Sequence, residues 1–394
     1  MGACLLVLLA GGVLTGISFV LVNRLAPEAK GSGIQEIEGV LAGVRAMRWR
    51  RVIPIKYFGG IAAIGSGMVL GREGPSVQMG GAVGQMIHDL FRRNNKTEAD
   101  MLIAAGSAAG LAAAFNAPLA AVMFVLEEMR GEFNYNRVSV KSVIIGAIVS
   151  TVVYRLLRGQ GVMIPMPTFT SFPLASLVLF FLLGGLLGLA GLLFNHLVLR
   201  FLDVFDRLTD NKWHRCLAIG LVLGVLFSAL NVAAPIFSGD GVDFIPSLAT
   251  GDLGAPVLFA LFFARLLVTL ICFCSGAPGG FFAPALTLGT LLGSAFGVVC
   301  VTLFPAMGLE SGMFAIAGMG GLFAAAVRAP VTGLLLVVEL TGNYSLILPL
   351  MFTALGASLV AQVLGGQPIY SLLLQRTLDK SRQKAPVEGD LVAS

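Results

Sequence analysis

Apolar residues run in long, nearly unbroken stretches, and polar residues are confined to the gaps between them. Residues 1–22 form one such stretch. They lack the basic start of a secretory signal and predict a membrane helix. Residues 172–200 form another. From Leu266 to Leu309 no charged residue occurs. A bilayer crossing takes about 20 apolar residues, so that run must hold more than one segment.

Composition sharpens this reading. Only 12% of residues are charged and the mean hydropathy is +0.90, whereas soluble domains carry roughly 25% charge. The chain is therefore an all-α integral membrane protein. Its 50 glycines exceed what plain lipid-facing rods need. They permit close helix packing and backbone turns at membrane depth, and predict tilted and re-entrant helices. Basic residues cluster at Arg45, Arg48, Arg50 and Arg51, and at Arg92, Arg93 and Lys96, as expected of cytoplasmic loops. No soluble basic domain is present to bind nucleic acid. All five cysteines lie in or beside apolar runs and read as inert thiols. Cys272 and Cys274 have no matching ligand pair, so no metal site is expected. The stretch from Asp379 is a short polar tail.

The chain also repeats itself. Gly31-Ser-Gly-Ile matches Gly239-Asp-Gly-Val at an offset of 208. Ser66-Gly67 matches Ser275-Gly276, and Gly71, Pro75, Gly80 and Gly84 match Gly280, Pro284, Gly289 and Gly293, at 209. Ala112-Ala-Ala-Phe-Asn-Ala-Pro matches Ala324-Ala-Ala-Val-Arg-Ala-Pro at 212, with Glu127 and Glu339 following. The common order implies two homologous halves, a frequent plan of transporters. We expect a first half over 1–165, a second over 166–375 and a tail over 376–394. The apolar run at 172–200 has a counterpart only before Met1, so the first half is expected to lack its leading helix.

The halves differ where chemistry is expected. Glu73 matches Phe282, Glu128 matches Leu340 and Ser32 matches Asp240. A carboxylate at membrane depth is costly and marks proton relays. Glu73 adjoins Arg72, but neighbours on a helix point to different faces, so a simple internal pair is awkward. Glu128 closes an apolar run just before Arg130, and both an interfacial carboxylate and a proton site remain open there. Glu127 and Glu339 recur in both halves and read as structural. Gly31-Ser-Gly, Gly71-Arg-Glu-Gly-Pro and Gly280-Phe-Phe-Ala-Pro each precede an apolar run, as helix N-termini do. Converging N-termini would hold an anion on N–H groups and dipoles without a full positive charge.

These stretches resemble the ClC chloride channel and transporter family, and its bacterial proton/chloride antiporter branch in particular. The resemblance rests on G-S-G-I-Q-E (31–36), G-R-E-G-P (71–75), A-A-F-N-A-P-L-A (113–120), G-G-F-F-A-P (279–284) and Tyr370 in Q-P-I-Y-S. It implies a ClC-type fold of two inverted-topology repeats, a homodimer, and a multi-pass location in the inner (plasma) membrane. Chloride would be held by Ser32, Gly33, Ile34, Phe281, Phe282 and Tyr370. Glu73 would be the gating glutamate and Glu128 the internal proton acceptor, with Lys56 and Arg72 near the pathway. The dimer interface would come from segments near 117–127, 140–157, 330–341 and 347–364. Chloride and protons would be the transported substrates, with no cofactor and no soluble partner. Gln35 stands where the family usually has proline, and Ser32-x-x-Gln35 predicts a capping box.

Exchange of chloride for protons is the leading reading. A passive, voltage- or pH-gated chloride channel is the alternative, and Glu128 argues against it. A fluoride exporter fits the Ser32 and G-R-E-G-P loops less well. An intramembrane serine protease would need a histidine base, and His88, His196 and His214 stand in no such motif, so the protein is not expected to be an enzyme.

Overall fold

A computed structural model of the chain describes residues 2–91, 95–129, 136–169, 172–210, 212–250 and 253–384. Arg92, Arg93, Arg130 and the end of the polar tail lie outside them. The helices are α1 (Gly2–Leu25), α2 (Ile34–Leu41), α3 (Trp49–Gly65), α4 (Glu73–Leu90), α5 (Lys96–Phe115), α6 (Pro118–Glu128), α7 (Arg137–Arg158), α8 (Leu177–Thr209), α9 (Trp213–Ala233), α10 (Ile245–Ala249), α11 (Ala255–Cys274), α12 (Phe282–Leu303), α13 (Ser311–Val327), α14 (Pro330–Thr341), α15 (Ile347–Val363) and α16 (Ile369–Lys384). Eight of them are long and apolar enough to cross a membrane. The charge-free run from Leu266 divides between α11 and α12, as its length requires.

The repeat is visible element by element. Helices α1 to α7 recur as α9 to α15 in the same order. Backbone details recur too. Gly31 and Gly33 are left-handed (φ 60° and 88°), and so are Gly239 and Gly241 (59° and 86°). Asn116 and Arg328 end α5 and α13 in the same αL conformation (φ 53° and 70°), a known way to stop a helix.

Several counterparts touch each other, as elements beside a two-fold axis must. Gly71 and Gly280 exchange two backbone hydrogen bonds of 2.7 Å. Helix α1 packs on α9 through small residues; a Cβ on Gly224 would lie 2.4 Å from the Gly11 carbonyl. The Glu127 carboxylate accepts from the N–H groups of Val331 (3.1 Å) and Thr332 (2.6 Å) at the start of α14. Reciprocally, Glu339 accepts from Leu119 (3.1 Å) and Ala120 (2.8 Å) at the start of α6. Each glutamate ends one helix and caps the other, so α6 and α14 run antiparallel. The two-fold therefore lies across the helices, which makes the repeat inverted. The structural reading of Glu127 and Glu339 holds.

Helix α8 is the apolar run expected at 172–200. Its 33 residues span about 50 Å at 1.5 Å per residue, well beyond a core of about 30 Å. The far end carries Asp203 and Asp206, which pair with Arg376 and Lys380 of α16 outside the apolar stretch.

Candidate functional site

The glycine-rich loops do what their composition requires. Helices α2, α4 and α12 begin at Ile34, Glu73 and Phe282, deep in the packed interior, and none has a side-chain cap. Their first N–H groups are therefore available to a ligand. Helix α16 begins nearby with Ile369 and Tyr370.

Close backbone approach brings these ends together. A Cβ on Gly74 would lie 2.2 Å from Ser32 Oγ, so Gly74 lets the serine hydroxyl rest on the first turn of α4. Aromatic stacking places α16 against α12: the Tyr370 ring lies 5.5 Å from that of Phe281 and 6.2 Å from that of Phe282. The hydroxyls of Ser32 and Tyr370 lie close to one another. Both oxygens are fully buried and neither makes a well-formed hydrogen bond among the described residues. A buried hydroxyl without a partner is costly, so two side by side mark a place where something else accepts their protons.

Glu73 is 2% exposed. Its carboxylate folds back toward the N–H groups of Glu73 itself and Ala283, spanning the starts of α4 and α12. Gly71 makes room for it, since a Cβ there would lie 2.0 Å from Glu73 Oε2. That oxygen has no hydrogen-bond partner among the described residues. The carboxylate thus occupies the same kind of N–H cradle that an anion would.

The remaining candidates sit around this centre. Glu128 ends α6, one turn beyond Phe124, whose ring meets Phe282 at 5.5 Å; it lies within electrostatic range of Tyr370. Arg72 is exposed at the cap position of α4. Lys56 is fully buried, and its Nζ donates to the carbonyls of Ala29 (3.0 Å) and Gly31 (2.6 Å). It clamps the loop that carries Ser32. A cavity of about 630 Å³, lined by Lys30, Gly31, Gln35, Glu36 and Arg376 among others, leads to that loop from the α8/α16 side.

Two features depart from the sequence reading. The capping box does not form: the cap residue of α2 is Gly33 in the left-handed region, without a side-chain bond, and Gln35 Oε1 has no partner among the described residues. Gln78, which no motif marks, is the second. It is fully buried, donates to the Glu28 carbonyl at 2.7 Å and packs its amide against Gly33.

Residues 12–362 match the family described as "Voltage gated chloride channel". The chain is 54% identical over 374 residues to the H(+)/Cl(-) exchange transporter ClcA of Vibrio cholerae, covering 95% of this chain and 80% of that one. It is 55% identical over 379 residues to ClcA of Vibrio campbellii, with 96% and 81% covered. Its fold is similar to the crystal structure of a slow cyanobacterial Cl-/H+ antiporter, with a TM-score of 0.89, 41% identity, and 96% of this chain and 88% of that one covered.

Proposed function

We propose how a member of the ClC chloride channel and transporter family, to which this chain belongs, moves its two substrates through the site described above. The protein is a multi-pass inner-membrane exchanger of chloride for protons. Chloride binds between the Ser32 and Tyr370 hydroxyls, and backbone N–H groups of Gly33, Ile34, Phe281 and Phe282 complete its shell. Partial charges hold the ion without trapping it. Glu73 is the gate. Its carboxylate competes with chloride for the N–H cradle at α4 and α12. Protonation removes the charge that holds it there, and the side chain leaves as the anion enters. Glu128 delivers protons from the α6 side, on a route that converges with the anion path near Tyr370. Lys56 holds the Ser32 loop, and Arg72 raises the anion concentration at the opposite mouth.

We further assign the inverted halves to 1–165 and 166–375. The chain acts as a homodimer through α6, α7, α14 and α15. The outward apolar faces of α7 and α15, with Ile145, Ile148, Val152, Met351 and Leu355 half or more exposed, support that assignment.

One observation carries the site reading: a buried carboxylate with an unpartnered oxygen, folded onto two helix N-termini beside two unpartnered hydroxyls. The test is Glu73→Gln in reconstituted vesicles. Chloride flux should continue and lose its dependence on pH, while coupled proton flux falls by about 100-fold or more, the scale of a lost proton relay. Coupled proton transport at the wild-type rate would remove Glu73 from the role given to it.

A further inference from the structure

The two-fold that relates the halves sets Asp240 where the first half has Ser32. The surroundings of the two positions match in detail. Gly33 packs on Gln78 of α4, and Gly241 on Thr287 of α12. Lys56 clamps the carbonyls of Ala29 and Gly31; Arg265, 209 residues on, is 1% exposed and donates to those of Ser238 (3.0 Å) and Gly239 (2.8 Å). Ser32 lies on the first turn of α4, so Asp240 belongs beside the first turn of α12, where Ala283 offers its N–H to Glu73.

Local bonds fix Asp240 there. Its carbonyl accepts from Thr287 Oγ1 of α12 (3.1 Å), and its Oδ1 accepts from Val242 N–H (3.1 Å). Gly239 N–H donates to Gly67, in the turn that leads to α4 (2.9 Å). Among the described charged groups, Arg72 of α4, Arg265 of α11 and Asp243 of its own turn face it, along with Glu73. Asp240 and Arg72 both lie within electrostatic range of Glu73.

We propose that Asp240 is a positioning residue of the exchange cycle. Its carboxylate keeps anions out of the mirror image of the Ser32 site and governs proton exchange between Glu73 and water on the Arg72 side. Inverted halves put the two loops on opposite faces. A hydroxyl at one mouth therefore admits chloride, and a carboxylate at the other biases Glu73 toward its protonated, open state by like-charge repulsion. This rests on the role given to Glu73 above.

The experiment compares wild type, Asp240→Asn and Asp240→Glu, each alone and with Glu73→Gln, in vesicles at matched internal and external pH. Chloride flux against pH and the proton-to-chloride ratio are both read. Without the carboxylate, Glu73 holds its proton less firmly, so the Asp240→Asn midpoint should move to lower pH by about half a unit or more with the ratio kept. Asp240→Glu should retain the wild-type midpoint, and Asp240→Asn should add nothing to Glu73→Gln. An unchanged midpoint in Asp240→Asn, an equal shift in Asp240→Glu, or a shift that persists with Glu73→Gln would each overturn the proposal. Should Asp240→Asn not fold, a wild-type midpoint in Asp240→Ser would overturn it equally. Proton coupling that survives Glu73→Gln alone would instead overturn the reading of Glu73.

Discussion

Single residues at this site are informative because they break the repeat. Glu73 and Glu128 replace the apolar Phe282 and Leu340 of the other half, and that difference was readable without a structure. Glu128→Gln should keep chloride flux within a few-fold of wild type and abolish coupled proton movement, measured by paired chloride and pH recordings on vesicles. Equal loss of both fluxes would mean that Glu128 supports the fold instead. The role of Lys56 was not legible in the same way. The resemblance implies a basic residue near the pathway; only coordinates show its ammonium buried on two carbonyls. The signal for Arg265 in the sequence is its 209-residue offset from Lys56. Lys56→Met leaves both carbonyls unpaired and should cost about 2–4 kcal/mol, read as a lower unfolding midpoint in detergent. Arg265→Met should do the same in the other half.

At the scale of elements, glycine is the organising residue. The α4/α5 and α12/α13 pairs pack backbone to backbone. A Cβ on Gly80 would lie 2.1 Å from the Gly106 carbonyl, and one on Gly289 would lie 2.3 Å from that of Gly318. Lipid gives helices no hydrophobic reason to associate, so close van der Waals approach must hold them. Gly80→Ala and Gly289→Ala should each destabilise by about 1–3 kcal/mol. Gly65→Ala, with open space around it, should be neutral in the same thermal assay. Helix starts at Ile34, Glu73 and Phe282 were legible because glycine and proline punctuate them. The capping box at Ser32 and Gln35 was misread because the pattern ignores backbone hand: Gly33 takes the cap position at φ 88°, which leaves Ser32 Oγ free to face Tyr370. Convergence of α16 on the site was legible only through the resemblance, since nothing local in Q-P-I-Y-S says where Tyr370 will pack.

The whole molecule is two halves joined along a two-fold, and the join is chemical as well as steric. Glu127 and Glu339 each cap the helix that the other ends. Bonds from N–H groups to a charged carboxylate are worth about 1.5–3 kcal/mol. Glu127→Ala and Glu339→Ala should therefore lower stability by similar amounts and leave the proton-to-chloride ratio unchanged. A changed ratio would bring these glutamates into the transport path. The inverted relation itself was hidden in the sequence, because an offset between repeats carries no direction; the antiparallel α6/α14 contact supplies it. The central claim is coupling: one buried carboxylate competes with chloride, so neither substrate crosses freely without the other. The most direct measurement places the purified wild-type protein in vesicles with a chloride gradient, no proton gradient and the voltage clamped so that a leak drives no protons. The account predicts proton movement against the pH difference that develops, sustained while the chloride gradient lasts. Chloride equilibration with internal pH unchanged would contradict it and make the protein a passive chloride channel.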